Sequence, residues 1–171
     1  MPPASPSLQT TCRSRGKNDR PQYFTGYIGS SEVSRIQVDP GAALSIMPRQ
    51  VMQHLGIPTY QLSATQTTIY GFNANGTLLM GKIKLKCQIG DLRSEMTCYV
   101  VDADTSYNLL LGRPWIHRNS IVPSTLHQVM KYIDGDGKVQ TLIVERHPFK
   151  GYRIIHRLPP VPDSLETDEN P

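Results

Sequence analysis

Residues 82–89 alternate without interruption: Ile83, Leu85, Cys87 and Ile89 are apolar, whereas Lys82, Lys84, Lys86 and Gln88 are polar. A period of two turns one set inward on a β-strand and leaves the lysines as a solvated comb, which also discourages edge-to-edge pairing. Gly90-Asp91 then returns the chain through Met96 to Val101, so a hairpin is expected. A two-residue turn sets Cys87 opposite Ser94, and a four-residue loop sets it opposite Met96; neither register brings it against Cys98. Earlier, TTIYGFNANGTLLMGKI carries β-prone residues on both sides of Asn75-Gly76. That pattern predicts a second hairpin with a tight tip, loosened by Gly71, Gly76 and Gly81.

Two short helices interrupt the strands. Pro48 suits a first helical position before Arg49 to Leu55, with Gly56 as the stop and Pro58 beyond; Val51, Met52 and Leu55 share the apolar face. Gly112 likewise turns into a short helix started at Pro114. After it, SIVPSTLHQVMKYIDGDGKVQTLIVE reads as further strands ending in a hairpin around residues 134–137. With no repeat of solenoid length, the fold class is mainly β with two short helices.

Length and charge set the boundaries. A chain of 171 residues makes one domain with a core of its own. Its net charge of +4 is unevenly spread: residues 1–21 carry Arg13, Arg15, Lys17 and Arg20 against Asp19, and the stretch from Pro159 carries Asp163, Glu166, Asp168 and Glu169 with no base. Both ends are rich in proline and polar residues, so 1–21 is expected to be a basic disordered linker and 150–171 a Pro-rich acidic tail around a folded 22–149. Four bases without interleaved aromatics offer nucleic acid no more than a weak, non-specific contact.

No run approaches the ~18 apolar residues of a membrane span, and the N-terminus lacks the apolar segment of a signal peptide. An intracellular protein without membrane contact is expected. Cys12, Cys87 and Cys98 form an odd set without a C-x-x-C pair, which fits reduced thiols used as small core residues. His117 and His127 lack further partners at a metal-binding spacing, so no metal or cofactor is expected. Trp115 and Tyr107 read as packing residues.

The candidate chemistry lies in RIQVDPGAALSIMP, residues 35–48. An aspartate at the end of a buried strand leaves water and must be compensated, so Asp39 either caps the Pro-Gly turn or works as an acid. Asp102 and Asp104 sit in a polar turn before Tyr107, and Asp134 and Asp136 in a glycine-rich loop, which makes them poorer candidates.

The order Val38-Asp39-Pro40-Gly41-Ala42, then a glycine-bearing hairpin at 70–81, then Leu109-Leu110-Leu111-Gly112-Arg113 before a helix resembles the retropepsin-like aspartic proteases. YNLLLGRPWIHRNSIVPSTLHQVMKY, residues 107–132, is similar to the protease region of plant Ty3/gypsy-type retrotransposon polyproteins. Over about residues 24–148 the resemblance implies an acid-protease barrel acting as a homodimer on a polyprotein peptide, in the cytoplasm or a retroelement particle. It implies Asp39 as the catalytic acid of each chain, with Pro40, Gly41 and Ala42 completing its loop. It implies a flap over the substrate containing Tyr70, Gly71, Phe72, Asn73 and Gly76, and a brace from Leu110, Leu111 and Gly112.

Peptide hydrolysis by aspartic acids needs two carboxyls sharing one proton. One Asp-x-Gly motif supplies half of that, which is why the resemblance carries a dimer with it. Family members usually have Thr or Ser after the Asp, and the hydroxyl ties the two loops together; Pro40 has neither a hydroxyl nor an N–H. Two readings follow: a homodimeric aspartic endopeptidase, or a catalytically silent dimerisation and interaction module of the same fold.

Overall fold

In the computed structural model, residues 20–65 and 78–147 and the backbone of the strand at 154–156 are described. The lysine comb becomes the centre of the longest ladder: β4 (Leu78–Ile89) runs antiparallel to β5 (Leu92–Asp102), with Ile89 opposite Leu92 and Cys87 opposite Ser94. The turn is therefore the two-residue Gly90-Asp91, with Gly90 at φ +57°. Ile83, Cys87 and Ile89 are buried while Lys84 and Lys86 are exposed, as the alternation requires. Cys87 and Cys98 are both buried free thiols, and Cys98 pairs with Ile83 across the ladder.

This hairpin joins β1 (Gln22–Ile28), β2 (Ser31–Val38), β3 (Ser45–Pro48) and β6 (Leu109–Leu111). Their order is β1-β4-β5-β3-β6-β2, and β2 pairs back onto β1, which closes a six-stranded barrel. Val33, Ile36, Met47, Val100, Leu109 and Leu111 are fully buried inside it. The strand β10 (Ile154–His156) adds to β2 and lies beyond the 149 boundary expected for the folded part.

A bulge interrupts the β1–β2 ladder ahead of the Asp39 loop. Ile36 pairs with Phe24 and Val33 with Gly26, so Ser34 and Arg35 together face Thr25 on β1. On its other edge β2 is bordered by β10 at 31–33 and by β6 at 36–38, and the bulge falls where the partner changes. Arg35 sits there at φ +51°, a conformation that costs a side-chain-bearing residue about 1–2 kcal/mol. Offsetting contacts are present: Arg35 Nε donates to Ser106 O at 2.7 Å, Nη2 to the Tyr23 hydroxyl at 3.2 Å, and the guanidinium lies 4.7 Å from the Tyr23 ring centre.

Both helices appear, each shifted by one residue against its proline. In α1 (Arg49–His54) Pro48 is the capping residue, because its extended backbone is still paired with Val101 in the β3–β5 ladder. Val51 and Met52 are buried, Leu55 packs on the same core, and Gly56 stops the helix at φ +72°. In α2 (Arg113–Arg118) Pro114 is the second helical residue, since the Arg113 N–H is already held by the Ala42 carbonyl at 2.9 Å. Trp115 is buried and donates its indole N–H to Ser94 Oγ at 2.8 Å, fixing α2 against β5.

Past α2, β7 (Val122–Ser124), β8 (Val129–Ile133) and β9 (Val139–Ile143) form a separate three-stranded sheet. Its closing turn is held by Asp134, whose Oδ1 accepts the N–H groups of Asp136 and Lys138 and whose Oδ2 accepts Gln140 Nε2. Gln22, at the start of β1 and buried, donates from Nε2 to Ser124 O at 2.8 Å and so joins the two sheets near the Asp39 end of the barrel.

Candidate active site

Asp39 follows β2 directly, half-buried, where the strand leaves the barrel. Its backbone continues the parallel β2–β6 ladder by one bond, the Asp39 N–H donating to Leu111 O at 3.0 Å. The chain then turns tightly, with the Ala42 N–H donating to Asp39 O at 3.1 Å. Inside that turn the Gly41 N–H donates to Asp39 Oδ1 at 2.8 Å. A Cβ on Gly41 would stand 3.1 Å from that oxygen, a tight contact that the carboxylate would have to ease by a few tenths of an ångström.

The loop is clasped from the other side by the end of β6. The Arg113 N–H donates to Ala42 O at 2.9 Å and the Gly112 N–H to Ser45 Oγ at 3.1 Å. Gly112 has no room for a side chain: a Cβ would meet Leu44 O at 2.4 Å and Ala42 O at 2.8 Å. Leu110 pairs with Ile46 of β3 and is buried, as is Leu111. Three hydrogen bonds therefore join residues 39–45 to residues 111–113, and two more close the Asp39 turn on itself. Tyr70, Gly71, Phe72, Asn73 and Gly76 lie outside the described residues.

Asp39 opens into a cleft of about 250 Å³ shared with Arg20, Gln22, Gln37, Pro40 and Thr125. A wider cleft of about 620 Å³ lies between Arg20, Leu126, Ile143 and Arg146, but its one acid, Glu145, accepts Thr25 Oγ1 at 2.6 Å and has no glycine-backed loop. Two other carboxylates are occupied differently. Asp102 is not in a turn but ends β5, exposed and 3.4 Å from Arg49, and Asp134 holds its own hairpin. His117 and His127 are exposed, and among the described residues no three His, Cys, Asp or Glu side chains gather to hold a metal.

One contributor was not visible in the sequence, and a second, Tyr107, is the packing residue that the sequence suggests. Asn108 is buried at the head of β6, where its N–H donates to Arg35 O at 3.0 Å and its Nδ2 to Ser34 O at 2.8 Å. It thereby satisfies the backbone that the bulge frees and sets the height of β6 beside Asp39. A single amide opening the apolar run Leu109-Leu110-Leu111 was the available signal. Tyr107, next to it, packs with Tyr23, Ile46, Val101 and Leu110, and with Ala42 and Leu44 from the Asp39 loop. Its hydroxyl is enclosed without a hydrogen-bond partner among the described residues. Burial first, and then the negative charge of Asp39, push its ionisation up.

Comparisons with known proteins bear on the family and the fold. The aspartyl protease family model matches residues 24–115, more than half the chain, from β1 into α2. The retroviral protease-like domain of Ddi1 from Leishmania major is 18% identical, with a TM-score of 0.56 over 71% of this chain and 94% of that one. A retropepsin-like aspartic protease from Rickettsia conorii is 21% identical (TM-score 0.46; 60% and 75% covered), and the EIAV protease bound to the inhibitor HBY-793 is 14% identical (TM-score 0.46; 61% and 93% covered). No curated protein sequence matches. With its barrel, its Asp39-Pro40-Gly41 turn and its Gly112 clasp, the chain belongs to the aspartyl protease family and has the retropepsin-like fold.

Proposed function

We propose that this chain is an aspartic endopeptidase acting as a homodimer, each copy supplying Asp39, and that it cleaves the polyprotein of a plant Ty3/gypsy-type retrotransposon. The observation that carries the proposal is the Asp39 loop itself: a carboxylate at a strand end, one oxygen fixed by the Gly41 N–H, in a turn clasped by Gly112. A turn-capping aspartate needs no such clasp from a second strand.

In the dimer the two Asp39 carboxyls lie across a two-fold axis and share one proton, because close like charges do not both ionise cheaply. The ionised carboxylate takes a proton from water as the water oxygen bonds to the peptide carbonyl carbon. The protonated partner gives its proton to the carbonyl oxygen. Collapse of the tetrahedral intermediate breaks the C–N bond, the leaving amine taking up a proton from one carboxyl while a diol hydroxyl gives its proton to the other, which restores the shared proton. Gly41 and Ala42 hold the loop geometry, Leu110, Leu111 and Gly112 brace it, and the 70–81 segment covers an extended peptide. Residues 1–21 and 150–171 serve as connections flanking the barrel, apart from the strand Ile154–His156 that pairs with β2, and the protein works in the cytoplasm or a retroelement particle. Among the described residues no helix is long and apolar enough to cross a membrane.

A silent interaction module is the second reading, and one observation favours it. Pro40 is exposed beside Asp39 and brings neither a hydroxyl nor an N–H to the two-fold axis. The two are separated by a peptidase assay at mildly acid pH on a fragment of the polyprotein. Cleavage by the unmodified chain that vanishes in Asp39→Asn supports the enzyme, and intact substrate with both chains supports the module.

A further inference from the structure

The cleft of about 620 Å³ has no part in the mechanism above, although it adjoins the Asp39 cleft and shares Arg20 and Pro21 with it. Its walls are both basic and apolar. Arg20, His127, Arg146 and His147 line it and are exposed, as are Leu126 at 63% and Ile143 at 71%. Among the described residues neither arginine has an ion-pair partner, and the one acid of the cleft, Glu145, accepts the Thr25 hydroxyl at 2.6 Å. The same chain carries a segment of the opposite character. From Pro159 onward it has Asp163, Glu166, Asp168 and Glu169 and no base, with Val161 and Leu165 among them. Pro159, Pro160 and Pro162 reduce the freedom that such a segment loses on docking.

We infer that the acidic segment 163–169 docks in this cleft of its own chain, its carboxylates on Arg20 and Arg146 and its apolar residues against Leu126 and Ile143. The segment has the reach. His147 lines the cleft, Ile154 opens β10 seven positions later, and β10 ends at His156. The way back from His156 to His147 is therefore no longer than nine extended residues, about 30 Å. Glu166 stands ten positions beyond His156 and Glu169 thirteen, so both can return to the cleft. A tether of this length holds the acids near the arginines at a concentration on the order of millimolar. Ion pairs too weak to retain a free peptide then suffice. A docked segment borders the Asp39 cleft at Arg20 and narrows the approach from that side, but the inference does not require Asp39 to be catalytic.

The test places a nitroxide on the segment in the full ¹⁵N-labelled chain, at Thr167→Cys in a Cys12→Ser background, where Cys87 and Cys98 are buried and stay unmodified. The amide signals of Leu126, His127, Arg146 and His147 should lose intensity. Those of α1 should keep theirs, because α1 packs on β3 and β5 across the barrel from β1. The loss should disappear in the combined variant Asp163→Asn, Glu166→Gln, Asp168→Asn and Glu169→Gln, and also in 1 M salt, where the screening length falls to about 3 Å. Dilution with an excess of unlabelled, unenriched chain should leave the loss unchanged; if dilution removes it, the segment enters the cleft of a second copy and the inference falls. It falls too if the full chain shows no loss, or a loss that survives neutralisation of the four acids. The readout involves no turnover, so a chain that cuts no peptide but shows the loss forfeits the endopeptidase reading and keeps the docked segment.

Discussion

Asp39 and Leu111 are joined by a single backbone hydrogen bond of 3.0 Å, the last rung of the parallel β2–β6 ladder. Through it the carboxylate-bearing turn is anchored to the strand that ends in Gly112, although the two are some seventy positions apart in the sequence. Whatever disturbs the end of β6 therefore reaches Asp39, and changes there should be read as changes to the site.

Gly112→Ala places a methyl group against two backbone carbonyls, Leu44 O at 2.4 Å and Ala42 O at 2.8 Å, neither of which is the end of a flexible side chain. Overpacking of this kind destabilises by about 1–3 kcal/mol. A lower urea midpoint with an unchanged denaturant slope is expected, together with loss of any peptidase activity. Full stability would show that the clasp is looser than the contacts imply.

Asn108→Leu keeps the bulk but withdraws Nδ2 from the buried Ser34 carbonyl, 2.8 Å away. A loss of about 1–3 kcal/mol is expected from that unpaired acceptor. Hydrogen exchange should quicken at the N–H groups of Asp39 and Arg113 more than in the distant β4–β5 hairpin. Uniform exchange would place Asn108 outside the support of the site.

Burial pushes the thiols of Cys87 and Cys98 up to about 12 from an ordinary value of 9.0, with the Cys87 charge adding to the rise at Cys98. The folded state thus holds these protons more tightly than the unfolded one. Their contribution to stability is complete below pH about 9 and is lost as pH rises towards 12. In a Cys12→Ser background the native protein should resist a thiol reagent at pH 8 and react only on unfolding, and its urea midpoint should fall above pH 9. Rapid native labelling would contradict the burial of both side chains.

Pro40→Thr tests the departure from the family loop. A threonine hydroxyl on each subunit should restore hydrogen bonds across the two-fold axis, tightening the dimer by about 1–3 kcal/mol in total and raising peptidase activity. Sedimentation and cleavage rates measure both. A neutral or harmful change would mean that the neighbours have packed around the proline ring.

The parts of this molecule that were legible in the sequence are those governed by local pattern. The 82–89 alternation, the Gly90-Asp91 turn, the buried faces of Val51 and Met52 and the adjacency of Asp39 to glycine all depend on near neighbours, and the described structure has them. The two prolines were misplaced by one residue because their positions were settled from afar: Pro48 by pairing with Val101, Pro114 by the hold of Ala42 on Arg113. Arg35 at positive φ was invisible for the same reason. Nothing in Ser34-Arg35 marks a bulge; the exchange of β10 for β6 along β2 creates the need for one. Asn108 followed from that geometry, so an apolar run with one amide read only as a strand, whereas Tyr107 read as a packing residue and is one.

The central claim is that one Asp39 from each of two chains makes one active site. Its most direct test mixes unmodified chain with Asp39→Asn chain in varying ratio, after subunit exchange, at constant total concentration above the dimer dissociation constant. If a site needs both carboxylates, activity follows the square of the unmodified fraction, so an equal mixture retains about a quarter of the starting rate. A rate that falls in proportion to the unmodified fraction, or an unmodified chain that cuts no peptide at all, would contradict the account.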